Sequence, residues 1–101
     1  MIKDGCYSVR DNEFGSLWVE IGNGRFRIQE DFFSGPLERE RWYEVDEKNT
    51  ELLFGILLQS ESGLIEIITE KFSGKDGLED FSNFCKENGV ECKYNTYSSM
   101  N

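Results

Sequence analysis

A chain of 101 residues carrying 20 acidic against 11 basic side chains, net charge −9, has room for a single core. Its field repels nucleic-acid phosphates and anionic membrane surfaces and draws in basic partners. With no histidine, Ser-His-Asp and Cys-His catalysis are excluded, and the commonest zinc ligand is missing.

Eight Phe, four Tyr and two Trp with a single proline describe a folded globule spanning residues 1–101, and the lack of any alanine lowers the expected helix content. Cys6 to Arg10 alternates like a short strand, and Asp11-Asn12-Glu13-Phe14-Gly15 is turn chemistry. The next segment carries the clearest local signal. Leu17 to Ile21 and Arg25 to Gln29 flank Gly22-Asn23-Gly24, and Asn-Gly readily takes the positive φ angles of a type I′ hairpin turn. With Asn23 and Gly24 central, Ile21 faces Phe26 and Val19 faces Ile28 on one side, while Glu20 faces Arg27 on the other. Apolar meets apolar and acid meets base.

Glu30 to Pro36 reads as a strand end and a loop, with the adjacent acids Glu30 and Asp31 expected in solvent. Leu37 to Asp46 then alternates for ten residues. As a strand it sets Glu38, Glu40, Trp42, Glu44 and Asp46 on one side and Leu37, Arg39, Arg41, Tyr43 and Val45 on the other. A helix over 37–48 is the rival reading, but Trp, Tyr and Val together in a period-2 pattern favour the strand.

Leu52-Leu53-Phe54-Gly55-Ile56-Leu57-Leu58 is a continuous apolar run, expected to be buried as a central strand or a short helix, which periodicity alone cannot separate. Ser60-Glu61-Ser62-Gly63 reads as a turn and Leu64 to Thr69 as a β-branched strand, so the favoured expectation is a second hairpin. One helix is well signalled: Asp76 as N-cap with Glu79 three residues on, Leu78, Phe81, Phe84 and Cys85 on one face, and Gly89 at the C-terminal end. A last strand from about Val90 to Tyr97 follows. The expected fold is α+β, a mostly antiparallel sheet of six to seven strands with two hairpins and one helix near the C-terminus packed on it.

No G-x-x-x-x-G-K-[ST] loop, G-x-G-x-x-G or EF-hand spacing is present. Cys6, Cys85 and Cys92 are neither a disulfide framework nor a metal site, so neither metal nor cofactor is expected and the protein is not read as an enzyme. Cys85 reads as a small core residue. Met1-Ile2-Lys3-Asp4-Gly5 lacks the apolar core of a signal peptide, and no run approaches a membrane span. The expected location is the cytoplasm.

Candidate partner-binding residues are Glu38, Glu40, Trp42, Glu44 and Asp46, because a large aromatic inside a charged rim is what an interface hot spot looks like. Trp18 and Glu20 join them, since the hairpin register puts them on the side away from Ile21 and Phe26. Either a second layer covers that side or Trp18 belongs to a binding patch. A charge-protected edge strand is the structural alternative for the acidic run. Arg25, Phe26 and Arg27 make a poor RNA-binding sheet, with Phe26 opposite the arginines and the overall charge wrong.

These features imply a small inhibitor of a basic protein, such as an immunity protein occluding a nuclease toxin with carboxylates and an aromatic anchor. In being small, acidic and β-rich the chain is similar to bacterial toxin-immunity proteins. Phage-encoded inhibitors, including anti-CRISPR proteins and DNA mimics, use the same physics. The alternatives are an assembly subunit or homodimer joined through a sheet edge, and a small-ligand binder lining a pocket with Trp18, Trp42 and Tyr43.

Overall fold

The computed structural model describes residues 4–34, 36–58 and 63–100. In chain order it has β1 (Gly5–Asn12), β2 (Gly15–Gly22), β3 (Arg25–Ser34), β4 (Leu37–Val45), α1 (Glu47–Leu57), α2 (Leu64–Phe72), α3 (Gly77–Glu87) and β5 (Lys93–Met100). The strands form one antiparallel meander in the order β1-β2-β3-β4-β5. All three helices fall between β4 and β5 and pack on one face of the sheet, giving an α+β architecture of two layers.

The β2–β3 hairpin has the expected register, with Ile21 opposite Phe26, Val19 opposite Ile28 and Glu20 opposite Arg27. Asn23 and Gly24 both have positive φ, 54° and 76°, as a type I′ turn requires. The alternation of β4 also holds, but the strand ends at Val45. Asp46 is the N-cap of α1, its carboxylate accepting from the Asn49 amide at 2.9 Å, and so leaves the stripe to which its parity assigned it.

The second hairpin is not formed, and the fold has five strands and three helices in place of six to seven strands and one helix. Residues 52–57 lie in α1 and residues 64–69 in α2; of the expected turn between them only Gly63 is among the described residues. The reason is visible in the burial. In α1 the buried residues are Asn49, Thr50, Leu53 and Leu57, and in α2 Leu64, Ile67, Ile68 and Phe72. Both sets follow a helical stripe. Leu52 and Leu58 are exposed, so an apolar run that suggested burial on both sides is buried on one. Tertiary packing of the stripe overrides the β propensity of Ile65, Ile67 and Ile68.

The helix α3 is where the pattern put it, with Leu78, Phe81 and Cys85 buried and Gly89 at φ 71°. The capping box is not made. Asp76 forms no side-chain cap, and Glu79 reaches instead to Arg41 at 2.9 Å. Between the layers, Phe81 stacks against Phe26 and Phe72 with ring centroids 5.6 and 5.5 Å away. Leu17, Val19, Ile28, Val45, Leu53 and Ile68 close the core around them.

Arg10 behaves unlike the alternation of β1. A bulge between Ser8 and Arg10 inserts Val9 as an extra residue, so Arg10 falls opposite Leu17 on the helix side. There its Nη2 donates to Glu30 at 2.7 Å, its Nε to the Gly15 carbonyl and its Nη1 to the Gly74 carbonyl. Glu30 is buried, against the expectation that it is solvated, and its other oxygen accepts from Arg41 at 2.5 Å.

Candidate functional site: the helix-free face of the sheet

With the helices on the Leu17, Phe26 and Val45 side, the opposite face of the sheet carries the alternate residues. No second layer covers it among the described residues. Its central cross-strand row runs Ser8, Trp18, Gln29, Trp42, Asn95. The Arg27 guanidinium inserts between the two tryptophans, 4.5 Å from the ring centroid of Trp42 and 5.9 Å from that of Trp18. Both indole N–H groups are tied within the face: Trp18 Nε1 donates to Asp31 at 3.0 Å and Trp42 Nε1 to Glu44 at 3.1 Å.

Gln29 lies beneath this stack and is only 3% exposed although no helix covers it. Its amide donates to Asp31 at 2.7 Å and to Glu40 at 3.2 Å, and its oxygen accepts from Arg27. Each tryptophan is therefore half-buried and held in place. The central row is a rigid platform, a form that loses little side-chain entropy when something docks on it.

The tryptophan row divides the face into two unlike ends. On one side Asp11, Ser16, Asp31, Glu40 and Tyr97 form the next row, followed by Phe33 opposite Glu38. Asp31 and Glu40 are direct cross-strand partners, a like-charge pairing that costs stability on its own and is bridged by Gln29. Phe33 is 66% and Tyr97 51% exposed, so this acidic end also offers apolar rings to a partner. On the other side lie Cys6, Glu20, Arg27, Glu44 and Lys93, where acids and bases alternate. A cleft of about 710 Å³ opens there, lined among others by Glu20, Arg25, Glu44, Glu91, Cys92 and Lys93. Its mixed charge selects no ligand class.

Six of the seven residues singled out in the sequence thus share one face: Trp18, Glu20, Glu38, Glu40, Trp42 and Glu44. Asp46 lies off that face at the α1 cap, where it lines the same cleft as Glu20 and Glu44. Phe33 and Tyr97 were missed, although their parity with Asp31 and with Lys93 and Asn95 was a usable signal once β3 was extended through Ser34. Arg27 and Gln29 were also missed as members of the site, because parity places a side chain on a face without saying what it stacks on.

Cys85 on α3 interacts with Cys92 through their thiols. That interaction, with burial, pushes Cys85 up, and at Cys92 the same interaction outweighs burial and, with nearby Lys86, draws the thiol down. Among the described residues no group of three or more His, Cys, Asp and Glu could hold a metal ion, and no helix is long and apolar enough to cross a membrane. No protein-family model, no curated protein and no solved structure matches the chain.

Proposed function

We propose that the protein is a non-catalytic inhibitor of the immunity-protein kind, which binds a basic protein such as a nuclease toxin through its helix-free sheet face and occludes it. The observation that carries this reading is the acidic end of that face, where exposed Phe33 and Tyr97 stand among Asp31, Glu38 and Glu40 beside the Trp18–Arg27–Trp42 platform. Lysines or arginines of a phosphate-binding cleft can pair with the carboxylates and stack on the rings. Repulsion of nucleic acid by the same charge leaves the partner's protein surface as the target. Occupancy alone blocks such a cleft, so no catalytic group is needed. The reading sets this encounter in the cytoplasm, where Cys6, Cys85 and Cys92 stay reduced.

The test is capture on the immobilised protein from lysate of the source cells, followed by an activity assay of the retained protein. A basic nuclease held one-to-one and suppressed on binding is the expected outcome. Trp42→Ala is then expected to weaken binding by about 2 kcal/mol or more. Glu40→Lys should slow association and Phe33→Ala speed dissociation, both read by surface plasmon resonance. Binding unchanged in all three folded variants would remove this face from the function, and retention of acidic proteins alone would end the inhibitor reading.

A further inference from the structure

The sheet ends in β1 on one side and β5 on the other, and the two margins differ. The β1 margin is interrupted by the bulge at Ser8/Arg10, which twists an edge away from regular pairing. The β5 margin has no such device. Its eight residues, Lys-Tyr-Asn-Thr-Tyr-Ser-Ser-Met, contain no proline, glycine or acid, and its only charge is at Lys93. Its register with β4 runs without a break from Glu44 opposite Lys93 to Leu37 opposite Met100. The helices pack against β1, β3 and β4, and β4 is the only element with which β5 makes more than marginal contact among the described residues. Tyr94 and Tyr97 are 48% and 51% exposed, on opposite faces of this strand. A long, straight, uncovered edge is a template for another strand.

Charge selects the occupant. A chain of net charge −9 repels its own copies over most of its surface, and β5 is a segment without a carboxylate. A basic partner is drawn to the carboxylates of the open face, where Tyr97 presents its ring, and finds no carboxylate along the β5 margin, whose one charge is a lysine. A two-fold axis perpendicular to the sheet at Thr96 sets Tyr94 opposite Ser98 and Asn95 opposite Tyr97 of the second copy, with no like charges opposed. We infer that β5 pairs antiparallel with β5 of a second copy of this chain. The two five-stranded sheets become one continuous sheet, with both sets of helices on one side and both tryptophan platforms on the other.

Sedimentation velocity of the purified chain over roughly 1–200 μM is the measurement, a range that brackets the affinity of a modest interface. The expected result is a shift from monomer to dimer mass. Thr96→Glu, which sets two carboxylates face to face on the axis, should raise the dimer dissociation constant at least tenfold, and Thr96→Pro, which removes an edge N–H, should do the same. The glutamate variant keeps the test open should the proline variant fail to fold. A wild-type chain that stays monomeric throughout overturns the inference, as does a dimer that survives Thr96→Glu. Loss of a captured basic partner on Thr96→Glu, with the free chain monomeric, would assign the edge to that partner's strand and equally overturn it. The measurement uses the chain alone, so its outcome is independent of the inhibitor reading.

Discussion

Arg10 joins the two layers through a single side chain. It is fixed by carbonyls from the β1–β2 turn and from the segment between α2 and α3, and by the Glu30 carboxylate inside the protein. Continuing outward, Glu30 accepts from Arg41 and Arg41 donates to Glu79, so the chain of charges runs from a side chain 2% exposed to one 52% exposed. Burial works against the Arg41 charge, and its hydrogen bonds and charge pairing with Glu30 and Glu79 outweigh that penalty and hold it protonated. The two ends are predicted to differ sharply in energy. Glu30→Ala leaves Arg10 buried without its counter-charge and should cost about 3–5 kcal/mol. Glu79→Ala breaks a pair open to water and should cost about 1 kcal/mol or less. Urea unfolding of the two variants measures both, and equal losses would show that the buried arm carries no special weight.

At the scale of elements, two glycines in helices test the packing of the helical layer. A Cβ on Gly77, at the start of α3, would lie 2.1 Å from the Phe72 carbonyl oxygen and 2.8 Å from Leu17 Cδ2. Gly55 in α1 is exposed with nothing near its Cβ direction. Gly77→Ala should therefore lower the unfolding midpoint by forcing α2 and α3 apart, whereas Gly55→Ala should stabilise by about 0.5–1 kcal/mol through helix propensity. Thermal melts that move the same way in both would contradict this packing. What was legible in the sequence follows the same division. The β2–β3 hairpin could be read because Asn23-Gly24 sets the register locally, and α3 because its polar face leaves the stripe visible. In α1 the stripe is masked by apolar residues off it, exposed Leu52 and half-buried Phe54 and Ile56, and in α2 by the β-branched run from Ile65 to Thr69, which reads as a strand. The bulge at Val9 has no signature in the sequence, so the inward turn of Arg10 and the burial of Glu30 were hidden. The site was legible as a parity pattern, and its content, an arginine between two tryptophans over a buried glutamine, required the structure.

For the whole molecule, pH sets two effects against each other. At pH 7 the net charge is −9, and self-repulsion destabilises the compact state. Protonating surface carboxylates toward the isoelectric point near 4.4 relieves it. Opposing this are two carboxyls more acidic in the folded chain than in the unfolded one. Asp46 is held down by hydrogen bonds from the Asn49 backbone and side chain. For Glu79, burial would raise the value, but hydrogen bonds from its own backbone amide and from Arg41, with the Arg41 charge, bring it below the ordinary range. Each contributes stability that is complete above its ordinary value, 3.8 for Asp46 and 4.5 for Glu79, and that is lost as pH falls through the folded value. The melting temperature should therefore rise gently from pH 7 to about pH 5 and fall below about pH 4. The double variant Asp46→Asn, Glu79→Gln separates the causes, because asparagine still caps a helix and glutamine still accepts from Arg41 while neither titrates. Circular dichroism melts at low protein concentration, which limits association near the isoelectric point, should show a shallower acid limb in the variant. An unchanged limb would show that these two carboxylates do not carry the acid response.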